Sequence, residues 1–181
     1  MSHIARLRLV PRLALCLALG VPAVIGPGAA WAQDEGLDYD PLILETCLAG
    51  RQADRQAECI GIAADRCMAT GAGGSNVGMG GCLAAEADQW DAALNASYAS
   101  LLAQAEAADA DLAQLGSAAG PSAPELQAMQ RDWIAFRDSA CGYEVSRWQG
   151  GSGSGPASQG CRLRLTAAQA IWLSGYAGTQ P

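Results

Sequence analysis

The sequence predicts an all-α fold, a small disulfide-stapled helical bundle. Apolar residues recur every three or four positions along two long stretches, the period of an amphipathic helix. No segment alternates apolar and polar residues as a half-buried strand does. Six cysteines lie beyond residue 33, an even number suited to three disulfides in an exported chain.

Export is read from the first residues. Arg6, Arg8 and Arg12 precede an apolar stretch from Leu13 to Ile25 that Gly20 and Pro22 interrupt. Ala30-Trp31-Ala32 then supplies the small-x-small pattern of a cleavage site. Residues 1–32 therefore read as a secretory signal peptide, with Gln33 as the mature N-terminus. The apolar stretch is too short and too broken for a membrane-spanning helix, so no membrane association beyond export is expected. Removing it takes three of the eleven Arg and none of the eighteen acids, so the net charge goes from −7 to −10.

Elements follow in order. Gln33 to Asp40 is acidic and reads as a frayed leader. Pro41 to Ala49 is a short helix ended by Gly50, and Asp54 is placed to cap a second helix running to about Ala69. Gly71 to Gly81 is Gly-rich and reads as a loop. A long helix follows from about Gly81 to Asp111, with Leu83, Trp90, Leu94, Tyr98 and Leu101 on one stripe. Leu115 to Pro121 breaks the pattern. Ser122-Ala-Pro-Glu125 has the form of a capping box, in which the Ser side chain accepts from free N–H groups at the helix start. That helix extends to about Trp148, with Leu126, Met129, Trp133, Phe136 or Arg137, and Ala140 facing inward. Gln149 to Gly160 holds almost no apolar residue and reads as an exposed loop. A last helix is expected from about Arg162 to Tyr176. In domain terms, 33–81 forms an N-terminal helical extension and 82–176 the main helical domain.

Six cysteines allow fifteen pairings. Neighbouring helices favour joining Cys47 to Cys59 across the Gly50 turn, Cys67 to Cys82, and Cys141 to Cys161. Each such bridge stabilises by ~3 kcal/mol in the chain-entropy model, which compensates for a core with one Phe and much Ala.

Residue types that are missing narrow the function. The sole His, His3, falls in the signal peptide, and there is no Lys. Ser-His-Asp and Cys-His catalysis, Schiff-base chemistry and His-containing zinc sites are thereby excluded from the mature chain. The cysteines form no CxxC pair of the kind used by redox or zinc sites. A carboxylate pair for glycoside hydrolysis stays open as the minor enzymatic reading. No cofactor is expected, and an acidic chain is a poor partner for nucleic acid.

The two long helices carry an ordered pattern. It runs Trp90-Asp91-x-x-Leu94-Asn95-x-x-Tyr98-x-x-Leu101, then Gln130-Arg131-x-Trp133-x-x-Phe136-Arg137-Asp138-x-x-Cys141. Gly150-Gly151-Ser152, Cys161 and Leu165-Thr166 follow. From about Cys82 to Leu173 this resembles the N-terminal domain of the LprI family of bacterial envelope proteins, known as lysozyme inhibitors. Gln169 stands where that family usually has an Arg three residues after the Thr. The resemblance implies a periplasmic or secreted protein that binds a lysozyme and blocks it, and not an enzyme. The alternative is an envelope structural or protein-interaction module without inhibitory activity.

Two groups of residues compete for the role of contact site. Asp91, Asn95, Arg137 and Asp138 are read as an inter-helix hydrogen-bond and ion-pair network, with Asn95 drawn close to the core by the Trp90–Leu94–Tyr98 stripe. Trp133 and Trp172 are read as core. The candidate contact is the 149–160 loop braced by Cys141 and Cys161, with Trp148, Gly150, Gly151, Ser152 and Ser154 facing the partner, and the 71–81 loop ranks second. A loop closed by a disulfide loses less entropy on docking than a free one. The expected partner is a basic lysozyme, toward which a chain of this charge would be steered.

Overall fold

Helix α1 spans Pro41–Ala49 and begins as its sequence dictates. Pro41 occupies the first turn, and the Asp40 side chain accepts from the Leu42 N–H at 2.9 Å. The computed structural model describes residues 36–177, so the signal-peptide reading of 1–32 lies outside the described residues. Residues 36–40 are docked, contrary to the frayed leader expected there. The Tyr39 hydroxyl donates to Gln89 Oε1 at 2.6 Å, and Leu37 lies directly over Gly81. Burial first, and then the charges of Glu86 and Asp40, hold the Tyr39 phenol above its ordinary range, which keeps it a proton donor.

The single helix expected from Asp54 to Ala69 is two pieces, a 3-10 segment over Ala53–Cys59 and helix α2 over Ile62–Met68. Gly61 divides them with φ +92°, a left-handed conformation that suits glycine. Asp54 lies inside the 3-10 segment and caps nothing.

The cap for α2 comes from elsewhere in the chain. A normal capping box satisfies the N3 N–H with the cap side chain and the cap N–H with the N3 side chain. Here the cap is Gly61 and N3 is Ala64, and neither has a polar side chain. Glu86, fully buried, does both tasks: Gly61 N–H donates to its Oε1 at 2.6 Å and Ala64 N–H to its Oε2 at 2.7 Å. The Trp90 indole N–H donates to Oε1 at 3.1 Å. A carboxylate at a helix N-terminus also lies at the positive end of the helix dipole.

Helix α3 spans Asn76–Gln114, starting inside the stretch read as a loop. After a short 3-10 turn at Gly71–Gly74, Ser75 caps α3 by accepting from the Gly78 N–H at 2.9 Å. The glycines are here for proximity. A Cβ on Gly78 would overlap the Ala72 carbonyl, and one on Gly81 would overlap Leu37. Close packing outweighs the roughly 1 kcal/mol by which Gly disfavours a helix.

Helix α4 spans Ser122–Ser146, ending short of Trp148. The capping box expected at Ser122 is not formed. Ser122 is the first helical residue, and the cap is Asp109 of α3. Its carboxylate accepts from Ser122 N–H at 2.7 Å, Ser122 Oγ at 2.9 Å and Ala123 N–H at 2.8 Å. Those backbone donors hold the Asp109 carboxyl below its ordinary value of 3.8.

Helix α5 spans Ser154–Ala177 and begins eight residues before the sequence suggests. Part of 154–160 packs against α3 at ordinary contact distance. Gly160 and Cys161 are buried, the Gly160 Cβ position is 3.8 Å from Leu83, and that of Gly80 is 3.9 Å from the Pro156 nitrogen. Pro156 is tolerated in the first turn, where its missing N–H has no intrahelical partner.

Helices α3, α4 and α5 form an up-down-up bundle in which the α3–α5 pairing is the most extensive. Leu94, Trp90, Leu163, Leu173, Ala167 and Ala170 make its core, and Leu44, Ala63 and Ala64 add α1 and α2 to the same cluster. Disulfides join Cys47 to Cys59, Cys67 to Cys82 and Cys141 to Cys161, the neighbour pairing favoured by the helix order. No described helix is long and apolar enough to cross a membrane.

Two predictions follow from the carboxylate caps. Glu86→Gln keeps one acceptor oxygen and sets an amide N–H against a backbone donor, so stability should fall by about 1–3 kcal/mol. Glu86→Ala strips all three donors and should cost at least about 3 kcal/mol. Urea unfolding of the oxidised protein measures both. For Asp109, the lowered folded-state pKa means its stabilisation is complete above pH 3.8 and is lost as pH falls through the lower folded value. Amide exchange at Ser122 and Ala123 should therefore accelerate in that acid range in the native protein but show no such step in Asp109→Asn.

Candidate functional site

The exposed connection between α4 and α5 is a tight turn over 147–153, much shorter than the twelve-residue loop expected. Ser154 is already the first residue of α5. The chain reverses through two consecutive left-handed residues, Gln149 at φ +46° and Gly150 at φ +85°. Gly150 adopts this freely, whereas Gln149, with its Cβ, is strained there. Gly151 N–H donates to the Trp148 carbonyl at 2.7 Å, and Ser154 N–H to the Gly151 carbonyl at 3.1 Å.

Three features fix this turn. The Cys141–Cys161 disulfide joins α4 to α5 beneath it. Asn76 Nδ2, at the start of α3, donates to Ser152 Oγ at 2.8 Å. The Trp148 ring lies against Gly153, where any Cβ would overlap it. Trp148 is nonetheless 49% exposed, a large aromatic surface presented on a short, braced support. Beside it runs a groove of about 460 Å³ between the starts of α3 and α5, lined by Val77, Gly80, Ser152, Pro156 and Gln159. The 71–81 segment, the second-ranked loop, contributes one wall of this groove through its helical part.

The polar quartet gathers between α3 and α4. Asn95 donates to Asp91 at 2.9 Å, Arg137 Nη1 approaches Asp91 to 4.0 Å, and Arg137 Nη2 pairs with Asp138 at 2.8 Å. The Arg137 guanidinium lies 5.1 Å from the Trp133 ring centroid, a cation–π geometry. Asn95 itself is exposed, because it lies a third of a turn away from the stripe that buries Leu94. A parallel pair, Arg162 to Asp88 at 2.6 Å, ties α5 to α3. Of the inward candidates on α4, Arg137 turns in and Phe136 points out, 57% exposed. Trp172, expected in the core, is 46% exposed and meets Tyr176 edge-to-face at 5.1 Å. Gln169 is buried and donates to Gln130 Oε1 at 3.2 Å, a neutral bridge between α5 and α4.

Sequence reasoning missed Glu86 and Asp109. Glu86 had a signal, since an acid interrupts the apolar stripe between Leu83 and Trp90. Asp109 had none, because the helix it caps is thirteen residues away.

The fold and its bridges define the class, a small all-α bundle stapled by disulfides. The chain belongs to the LprI family, described as lysozyme inhibitor LprI, which matches residues 67–173. It is similar along nearly its whole length to an "uncharacterized 17.7 kDa protein in puhA 5′ region" of Rhodobacter capsulatus. That relative is 27% identical over 175 residues, covering 94% of this chain and 98% of its own. No solved structure matches the chain.

Gly153→Ala tests the packing of the turn. The added methyl should push the Trp148 indole into solvent. The Trp148 indole resonance, assigned by comparison with Trp148→Phe, should then shift to its solvent-exposed position while the other indole signals stay in place.

Proposed function

We propose that this protein is exported to the periplasm or beyond the cell and inhibits a basic lysozyme by seating the Trp148–Ser152 turn in the enzyme's cleft. The observation that carries this is membership of the lysozyme-inhibitor family, whose match includes both helices that hold the turn. The geometry supports it. An aromatic side chain fixed on a braced turn loses little entropy on docking, and such residues are the usual anchors of interfaces. Gly150 and Gly151 keep the backbone bare, so the turn can enter a narrow cleft. The Ser152 and Ser154 hydroxyls can donate to carboxylates within it. No bond is made or broken, and no cofactor takes part: inhibition is occlusion. The Asp91–Arg137–Asp138 cluster holds α3 to α4 and so keeps the support rigid. The elements before α3, residues 36–75, brace its start, the other wall of the groove.

Clearing of a bacterial cell suspension by lysozyme provides the test. Added protein should slow clearing, and Trp148→Ala should raise the inhibition constant at least about 30-fold, the effect of removing a hot-spot residue of about 2 kcal/mol, with an unchanged melting temperature. Unchanged clearing at a large molar excess of the native protein would contradict the proposal and leave a binding module without inhibitory activity.

A further inference from the structure

Helix α3 is much longer than its partners. Its 39 residues extend roughly 58 Å at 1.5 Å per residue, whereas the 24 residues of α5 cover roughly 36 Å. Helix α5 starts beside Gly80 and runs parallel to α3, so it falls short of the far end. No α3 residue beyond Leu101 belongs to the core cluster. Among the described residues, the last turns of α3 pack against the start of α4 and not against α5, and form a tip.

Two properties set this tip apart. Its leucines are exposed, Leu112 by 38% and Leu115 by 82%, and Leu112 lines a depression of about 260 Å³ together with Ala113, Ser117 and Pro121. Its charge is of one sign, because no Arg or Lys occurs from Cys67 to Gln130. Asp109 is occupied as the α4 cap, but Glu106, Asp111 and Glu125 stand exposed, and none forms an ion pair among the described residues.

This combination selects its occupant. A second copy of the chain would set these acids against their own kind, and nucleic acid or an anionic lipid surface would be repelled. A neutral apolar partner would desolvate three carboxylates without compensation. A cationic protein surface satisfies both the leucines and the acids. A small globular domain is roughly 30 Å across, so one such partner cannot touch the tip and the Trp148 turn at the opposite end together.

We propose that the α3–α4 tip is a second docking surface, independent of the Trp148 turn, that takes a basic lysozyme through its cationic face. The proposal rests on the reading of lysozyme as partner and adds a second site and a stoichiometry. The chain then captures two lysozyme molecules, one blocked at the turn and one held at the tip.

Titration calorimetry of the native protein with a basic animal-type lysozyme, at about 20 mM salt where surface charges are weakly screened, tests this. Two lysozymes should bind per chain. The variant Glu106→Gln/Asp111→Asn/Leu115→Ser, which leaves the Asp109 cap intact, should bind one, keep full inhibition and melt at the native temperature. Trp148→Ala should keep the tip equivalent, bind the other at least about 30-fold more weakly and inhibit correspondingly less. Adding salt to about 0.3 M should remove the tip equivalent before the other. A single equivalent for the native protein, unchanged in the tip variant, overturns the second site and leaves the inhibitory reading standing. If the tip variant loses an equivalent while Trp148→Ala inhibits as strongly as the native protein, the tip stands and the turn reading fails. No binding at all overturns both.

Discussion

Helix α3 carries two carboxylates that finish other helices. Glu86 closes the start of α2 and Asp109 the start of α4, and neither helix has a side chain of its own for the task. Free N–H groups at a helix start must be satisfied, and when the helix is docked against a core, water cannot easily do it. Placing both acceptors on one long helix makes α3 the axis to which everything else is referenced. The Glu86 contact is the more consequential because it is fully buried. It joins the left-handed Gly61, the first turn of α2 and the Trp90 indole in one hydrogen-bonded cluster, and Trp90 in turn packs into the core shared with α5.

The rest of the architecture follows from how closely helices can approach this axis. Small residues interleave with the large ones of this core: Gly78 sits against the Ala72 backbone, and alanine at 63, 64, 87 and 167 is buried between Trp90, Leu94, Leu163 and Leu173. Disulfides then lock α1 to the 3-10 segment, α2 to α3 and α4 to α5, which suits a core with few large side chains. The exposed α4–α5 turn is rigid for the same reason, being clamped by a bridge below and a hydrogen bond to α3 at the side.

Much of this could be read from the sequence. The 3.6-residue stripe placed α3 and the apolar face of α4, and Pro41 with Gly50 bounded α1. What was misread has one physical cause. Glycine and serine read as signals of chain freedom at 71–81 and 149–160, whereas Gly73, Gly78, Gly81 and Gly153 each lie too close to a neighbour to carry a Cβ. Local composition does not distinguish a flexible glycine from a crowded one; only the neighbour, Ala72 for Gly78 or Trp148 for Gly153, decides. The caps were hidden because the sequence rules for them are local, while Glu86 and Asp109 act across 22 or more and 13 or more residues. The tryptophans show the limit of hydrophobicity as a guide. Trp90 is buried with its indole N–H satisfied, while Trp148 and Trp172 lie at the surface. For Trp148 exposure is what suits it to a contact role, since a large apolar ring held in place beside a bare backbone is what a cleft-filling anchor requires.

A buried carboxylate of α3 holds the start of α2, and native-state amide exchange at Gly61 and Ala64 reads that contact residue by residue. Amides in the first turn of a helix ordinarily exchange fast because they have no intrahelical acceptor. Here both should be protected as strongly as amides in the middle of α3, with exchange only through global unfolding. Exchange at Gly61 and Ala64 as fast as at an ordinary helix start would contradict the account.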